Sequence, residues 1–142
     1  MSRLTLKKLL MIVCAVAIML TTDICFAAPE CSFTNAGSTL SFGVLDQLST
    51  ADATASVSIA VSCKGNPTWY LTSNNGLYST GSTKRMKHET LNVYIPYILT
   101  FSPTTGNKFV TMITGSGLII NSDYVTADVG IYSDTVTITI TP

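Results

Sequence analysis

Side chains able to do acid–base or nucleophilic chemistry are few, and their spacing does not favour it. The single histidine, His88, lies in Lys84-Arg85-Met86-Lys87-His88-Glu89 beside three cations. A histidine can serve as a general base, but a polar, basic run of this kind predicts a solvated loop or a sheet edge. The carboxylates Glu30, Asp46, Asp52, Glu89, Asp123, Asp128 and Asp134 are scattered through turn-like segments. No spacing among them sets up a paired acid and base or a cation cage. No Gly-x-Ser-x-Gly elbow occurs, and any triad would have to recruit His88. Gly115-Ser116-Gly117 is too short to cradle a phosphate and predicts a turn. The expectation is a protein that is not an enzyme and carries no metal or cofactor.

The covalent chemistry the chain does offer belongs to its cysteines, and export decides which of them count. Arg3, Lys7 and Lys8 precede an unbroken apolar run of twelve residues, Leu9 to Leu20, followed by Cys25-Phe26-Ala27-Ala28. This order predicts a secretory signal cut between Ala27 and Ala28. Twelve apolar residues are too few to cross a ~30 Å hydrocarbon core as a helix. Cys14 and Cys25 leave with the signal, so Cys31 and Cys63 remain. In an exported chain such a pair predicts a disulfide. It closes a loop of 33 residues, which chain entropy makes worth about 3–4 kcal/mol. Metal ligation by the same pair lacks histidine support.

The mature chain, 28–142, is then 115 residues and is expected to form one domain. Five Lys/Arg against seven Asp/Glu give a net charge of −2, which points to neither a nucleic-acid nor an anionic-membrane partner. No further segment is apolar enough for stable membrane insertion.

The elements that would position these residues read as strands and turns. Thr39 to Phe42 predicts a short strand with Leu40 and Phe42 on one face. Ala53 to Cys63 alternates Val57, Ile59, Val61 and Cys63 against Ser56, Ser58, Ala60 and Ser62. Lys64 to Pro67 is a turn, Thr68 to Ser73 a strand, and Asn74-Asn75-Gly76 a hairpin signal. Leu91 to Phe101 is β-prone but carries Pro96, which predicts an edge, a bulge or a break. Phe109 to Thr114 and Leu118 to Ile120 predict short strands flanking the glycines. The closing strand, Tyr132 to Thr141, sets Val136, Ile138 and Ile140 against Thr135, Thr137, Thr139 and Thr141. Six to eight short strands predict an antiparallel β-sandwich or barrel. Trp69, Tyr70, Leu77 and Tyr78 could form a surface-binding platform near the Asn-Asn-Gly turn; the alternative is that alternate members pack in the core.

Four features, in order, carry a family resemblance. Cys31 precedes Leu40-Ser41-Phe42-Gly43 and Leu45-Asp46; an alternating strand, SVSIAVSC, ends in Cys63. Arg85-Met86 precedes Leu91 and Tyr94, and Gly130-x-Tyr132-x-Asp134-Thr135-Val136-Thr137-Ile138 closes the chain. The chain resembles the spore coat protein U domain family, which includes subunits of archaic chaperone–usher pili.

The resemblance implies an immunoglobulin-like β-sandwich lacking one strand, with a groove beside the C-terminal strand lined in part by Val136, Ile138 and Ile140. The implied partners are a periplasmic pilus chaperone, an outer-membrane usher and a neighbouring pilin that donates a β-strand. The implied setting is a cell-surface fibre serving adhesion or biofilm formation. Only Ala28-Pro29-Glu30 would precede Cys31 after the cut, whereas a donor strand needs roughly ten alternating residues. The expectation is a tip or terminating subunit that accepts a strand and does not donate one. The alternatives are a self-contained coat or matrix protein of the same fold, and a ligand binder using the aromatic platform.

Overall fold

The computed structural model describes residues 30–35, 37–107 and 109–142. The signal and its cut at Ala27-Ala28 lie outside the described residues. Alternation dictates the longest element. β2 (Ala53–Lys64) turns Val57, Ile59, Val61 and Cys63 inward and its serines outward. It pairs antiparallel with β1 (Glu30–Phe33) on one side and with β7 (Val110–Ile119) on the other. β5 (Tyr94–Ser102), β4 (Lys84–His88) and β8 (Tyr132–Ser133) complete a six-stranded sheet in the order β1-β2-β7-β5-β4-β8. A second sheet runs β6 (Thr105–Gly106), β3 (Trp69–Ser73), β9 (Ile138–Thr141). Every pairing is antiparallel. The one helix among the described residues is a single turn, α1 (Asn121–Tyr124). The architecture is the all-β, immunoglobulin-like one expected.

Two apolar clusters fill the interior. In the first, Ile59, Val61, Cys63 and Ile113 of the large sheet meet Trp69 and Leu71 of the small one. The second gathers Met86, Ile95, Tyr97, Ile119 and Tyr124. Cys31 and Cys63 face each other across the β1–β2 ladder and are joined by a disulfide, 2.12 Å between sulfurs.

Several strand expectations change, each for a local reason. The segment around Leu40 and Phe42 is not a strand, yet both side chains share a face as expected and lie over Gly117. The glycines do not divide β7. A Cβ at Gly115 would come within 2.9 Å of Val57 and 3.1 Å of Phe101, and one at Gly117 within 2.6 Å of Phe42. The missing side chains let neighbours close over an uninterrupted strand. Pro96 does not break β5, because Tyr94–Tyr97 pair with β4 alone and Ile98–Ser102 with β7. An imide lacking an N–H is tolerated where only one side is bonded. The basic run is not a loop or edge: β4 lies between β5 and β8 and buries Met86 and His88.

The Asn74-Asn75-Gly76 signal does not make a two-residue hairpin, since β3 pairs with β6 and β9 rather than with the next strand. The closing strand splits. In-and-out alternation of burial continues from Ile131 to Thr141, but β8 pairs with β4 in the large sheet while β9 pairs with β3 in the small one. Residues 134–137 carry the chain from one sheet to the other.

Candidate functional site

That crossing opens the molecule. Between the segment 37–48 and the segment 127–138 lies a cleft of about 1210 Å³. Its floor is apolar: Phe33, Val57, Ile59, Met86, Ile95, Tyr97, Leu99 and Phe101 line it, with Val136 and Ile138 on one wall. The inward residues of β5 from Ile95 to Phe101 alternate along roughly 20 Å, at about 3.3 Å per residue. Leu99 and Phe101 remain only half-buried although they face the interior. At the margins, Val44 is 97% exposed and Leu48 is 92% exposed, facing exposed Val129 and Ile131 across the opening.

Two polar hubs hold the 127–138 wall. The Asp134 carboxylate accepts the Leu77 and Tyr78 backbone N–H groups on Oδ1, at 2.8 and 3.3 Å, and the Tyr97 hydroxyl on Oδ2, at 2.7 Å. Gly76 leaves room for it, since a Cβ there would overlap the carboxylate. The Tyr97 phenol is held well above the ordinary tyrosine range, first by burial and then by the hydrogen bond and negative charge of Asp134.

At the second hub His88 is 5% exposed. Its Nδ1 accepts the Thr90 and Leu91 N–H groups, both at 3.1 Å, so Nε2 carries the proton that it donates to the Val129 carbonyl at 3.2 Å. Tyr132 packs edge-on against the imidazole, and Gly130 is the residue whose Cβ would overlap Nε2. The expectation of a solvated His88 is therefore corrected. Alternation along β4 turns it inward, and its nitrogens bond backbone groups.

The remaining feature is an edge. Asn74 N–H donates to the Thr137 carbonyl at 3.0 Å, Thr137 N–H donates to Asn74 Oδ1 at 2.9 Å, and Leu77 N–H donates to the Thr135 carbonyl at 3.1 Å. In an extended chain, main-chain polar groups of successive residues alternate sides. Those of Val136, Ile138 and Ile140 therefore point away from β3, toward an edge that no strand pairs among the described residues. Apolar side chains of the same residues face inward.

The structure brings Val136 and Ile138 together in the cleft wall, whereas Ile140 packs against the first cluster and does not line the opening. The aromatic set is dispersed. Trp69 is 0% exposed and sits against Gly106, so it contributes to the core and not to a surface. Tyr70, its neighbour, turns outward and is 57% exposed. Leu77 is exposed, and half-buried Tyr78 faces Tyr94 with ring centroids 6.2 Å apart. Sequence reasoning counted Asp134 among scattered turn acids and so missed its bridging role. The available signal was its place between two inward-facing residues, Tyr132 and Val136, where a carboxylate must find donors.

The family model described as Spore Coat Protein U domain matches residues 17–139. No curated protein is significantly similar to the chain. Among solved structures, it is similar to a chain of the CsuC–CsuE chaperone–tip adhesion subunit pre-assembly complex from archaic chaperone-usher Csu pili of Acinetobacter baumannii. The two share 19% identity at a TM-score of 0.52, over 79% of this chain and 39% of that chain. The chain thus spans about two fifths of that neighbour's length. A likeness at that identity speaks for the fold, while the match across most of the sequence speaks for the family: the chain belongs to the Spore Coat Protein U domain family.

Proposed function

We infer that this protein is a pilin-like structural subunit of an archaic chaperone–usher surface fibre, and that its cleft accepts a β-strand from another chain. The observation that carries the reading is an apolar cleft walled by Val136 and Ile138 and continuous with the edge of Val136, Ile138 and Ile140 that no strand pairs among the described residues. An incoming strand would bond the main chain of those residues and seat alternate side chains on the floor between Phe101 and Met86, which is β-augmentation. A periplasmic chaperone fills the cleft first on this reading, and a neighbouring pilin's strand replaces it at the usher. The role is structural rather than catalytic, exported to the cell surface, and serves adhesion or biofilm formation. A tip or terminating position follows if the mature protein starts at Ala28, which N-terminal sequencing of the exported chain determines.

The test is a urea melt of the oxidised, exported protein with and without a ~12–15-residue alternating peptide from a pilin N-terminus of the same organism. A strand acceptor gains about 2.7 kcal/mol when the peptide is present at 100 times its Kd. If the protein unfolds cooperatively by itself and the peptide changes nothing, a self-contained coat or matrix protein becomes the better reading.

A further inference from the structure

The outer face of the six-stranded sheet, opposite the cleft, has its own chemistry. On β4, Met86 and His88 point inward, so Arg85 and Lys87 point outward. Arg85 lies 4.4 Å from the Tyr94 ring centroid, and its Nε donates to the Tyr78 carbonyl at 3.0 Å. The terminal nitrogens of the guanidinium make no hydrogen bond among the described residues. Lys87 Nζ lies 5.7 Å from the Tyr78 ring. The ion pair found among the described residues is Lys64–Glu30, on another strand. Glu89 follows Lys87 by two positions but makes no ion pair with it among the described residues. Two cations and two tyrosine rings thus form a cluster to which no carboxylate is bonded among the described residues.

Beyond this cluster along β5 come Pro96 and half-exposed Ile98, which pairs with Leu118, and past that apolar patch the face turns to hydroxyls. The outward residues of β5, β7 and β2 line up across the ladders in rows: Thr100, Ser116 and Ser56 in one, Ser102, Thr114 and Ser58 in the next. Rows repeat every second residue, roughly 7 Å apart along the strands, and neighbours within a row are about 4.8 Å apart. A hydroxyl lattice bonds other hydroxyls without demanding charge, and tyrosine rings stack on the apolar faces of sugars.

We propose that this outer face binds an acidic polysaccharide. Arg85 and Lys87 engage a uronate carboxylate, Tyr78 and Tyr94 flank the sugar carrying it, and the serine–threonine rows take the neutral part of the chain. Arginine's planar fork suits a carboxylate in two-point contact, which lysine reinforces as a point charge. Charge complementarity selects the partner: three of the five cations in 28–142 lie on β4. Because the face lies on the other side of the sheet from the cleft, it stays open when the cleft is filled. Of the residues first grouped as a surface-binding platform, only Tyr78 belongs to it. The proposal does not depend on strand acceptance.

Affinity electrophoresis of the oxidised protein in gels containing alginate, dextran or DNA tests it. Alginate is expected to retard the protein at low salt and less as salt rises, with dextran and DNA at least tenfold weaker. Lys87→Gln and Arg85→Gln are each expected to weaken alginate binding about tenfold, and Arg85→Lys by less. Lys87→Gln touches no backbone partner, so it remains informative if Arg85→Gln disturbs the Tyr78 loop. No retardation by alginate, equal retardation by DNA, or undiminished binding by Lys87→Gln overturns the proposal. The urea melt with donor peptide, run on the same variants, reports strand acceptance separately.

Discussion

Asp134→Ala is the substitution that should cost most for its size. Three donors converge on this carboxylate: the Leu77 N–H at 2.8 Å, the Tyr78 N–H at 3.3 Å and the Tyr97 O–H at 2.7 Å. Hydrogen bonds to a charged acceptor contribute about 1.5–3 kcal/mol each in net terms. The site is half-buried, the Tyr78 bond is long, and the Leu77 N–H keeps the Thr135 carbonyl as a second acceptor, so about two bonds at the lower end are lost, a cost of about 3 kcal/mol. That is a large share of the 5–15 kcal/mol typical of a domain. Tyr97→Phe deletes one donor and leaves the backbone bonds, so it should cost about 1.5–2 kcal/mol. In the double variant the Tyr97 deletion should cost almost nothing further, because its acceptor has already gone.

The assay is a urea melt of the oxidised protein, read for each member of the cycle. The same pair sets an alkaline limit. Tyr97's folded-state pKa lies above its unfolded value, so its contribution is complete below about pH 10 and is lost as pH rises toward the folded value. Tyr97→Phe should flatten that decline. It should not abolish it, since burial and the Asp128 carboxylate also raise Tyr132. A loss below about 1 kcal/mol for Asp134→Ala, or additive single effects, would refute the reasoning and reduce Asp134 to a solvated rim acid.

Other substitutions separate core from surface and probe the second hub. Trp69→Ala empties a fully buried site and should cost about 3–5 kcal/mol, while Tyr70→Ala on the outer face should stay within about 0.5 kcal/mol; comparable effects would contradict the alternation in β3. Gly130→Ala should destabilise by about 2–3 kcal/mol through its clash with His88, and should be nearly neutral in a His88→Ala background, as paired urea melts would reveal. Replacing Cys31 and Cys63 together by Ser should lower stability by about 3–4 kcal/mol; a loss under about 1 kcal/mol would mean the loop is already ordered without the bridge.

Much was legible in the residues alone. Alternation in β2 and along Tyr132 to Thr141 identifies which side chains turn inward, because a strand has a period of two whatever its partner. The cysteine pair and the all-β class follow from the same local signals. So does the family, whose motifs are carried by short runs. What local signals do not encode is which strands become neighbours. β4 reads as a basic loop because Arg85 and Lys87 face outward, and only its place between β5 and β8 shows why Met86 and His88 are buried. One closing strand became β8 and β9 because its two halves found partners in different sheets, and periodicity carries no record of partners. Asp134 and His88 acquire their roles from backbone groups far along the chain, Leu77 in one case and Val129 in the other. The cleft exists because tertiary pairing carries the chain between sheets at 134–137, leaving one edge of Val136, Ile138 and Ile140 without a neighbour among the described residues.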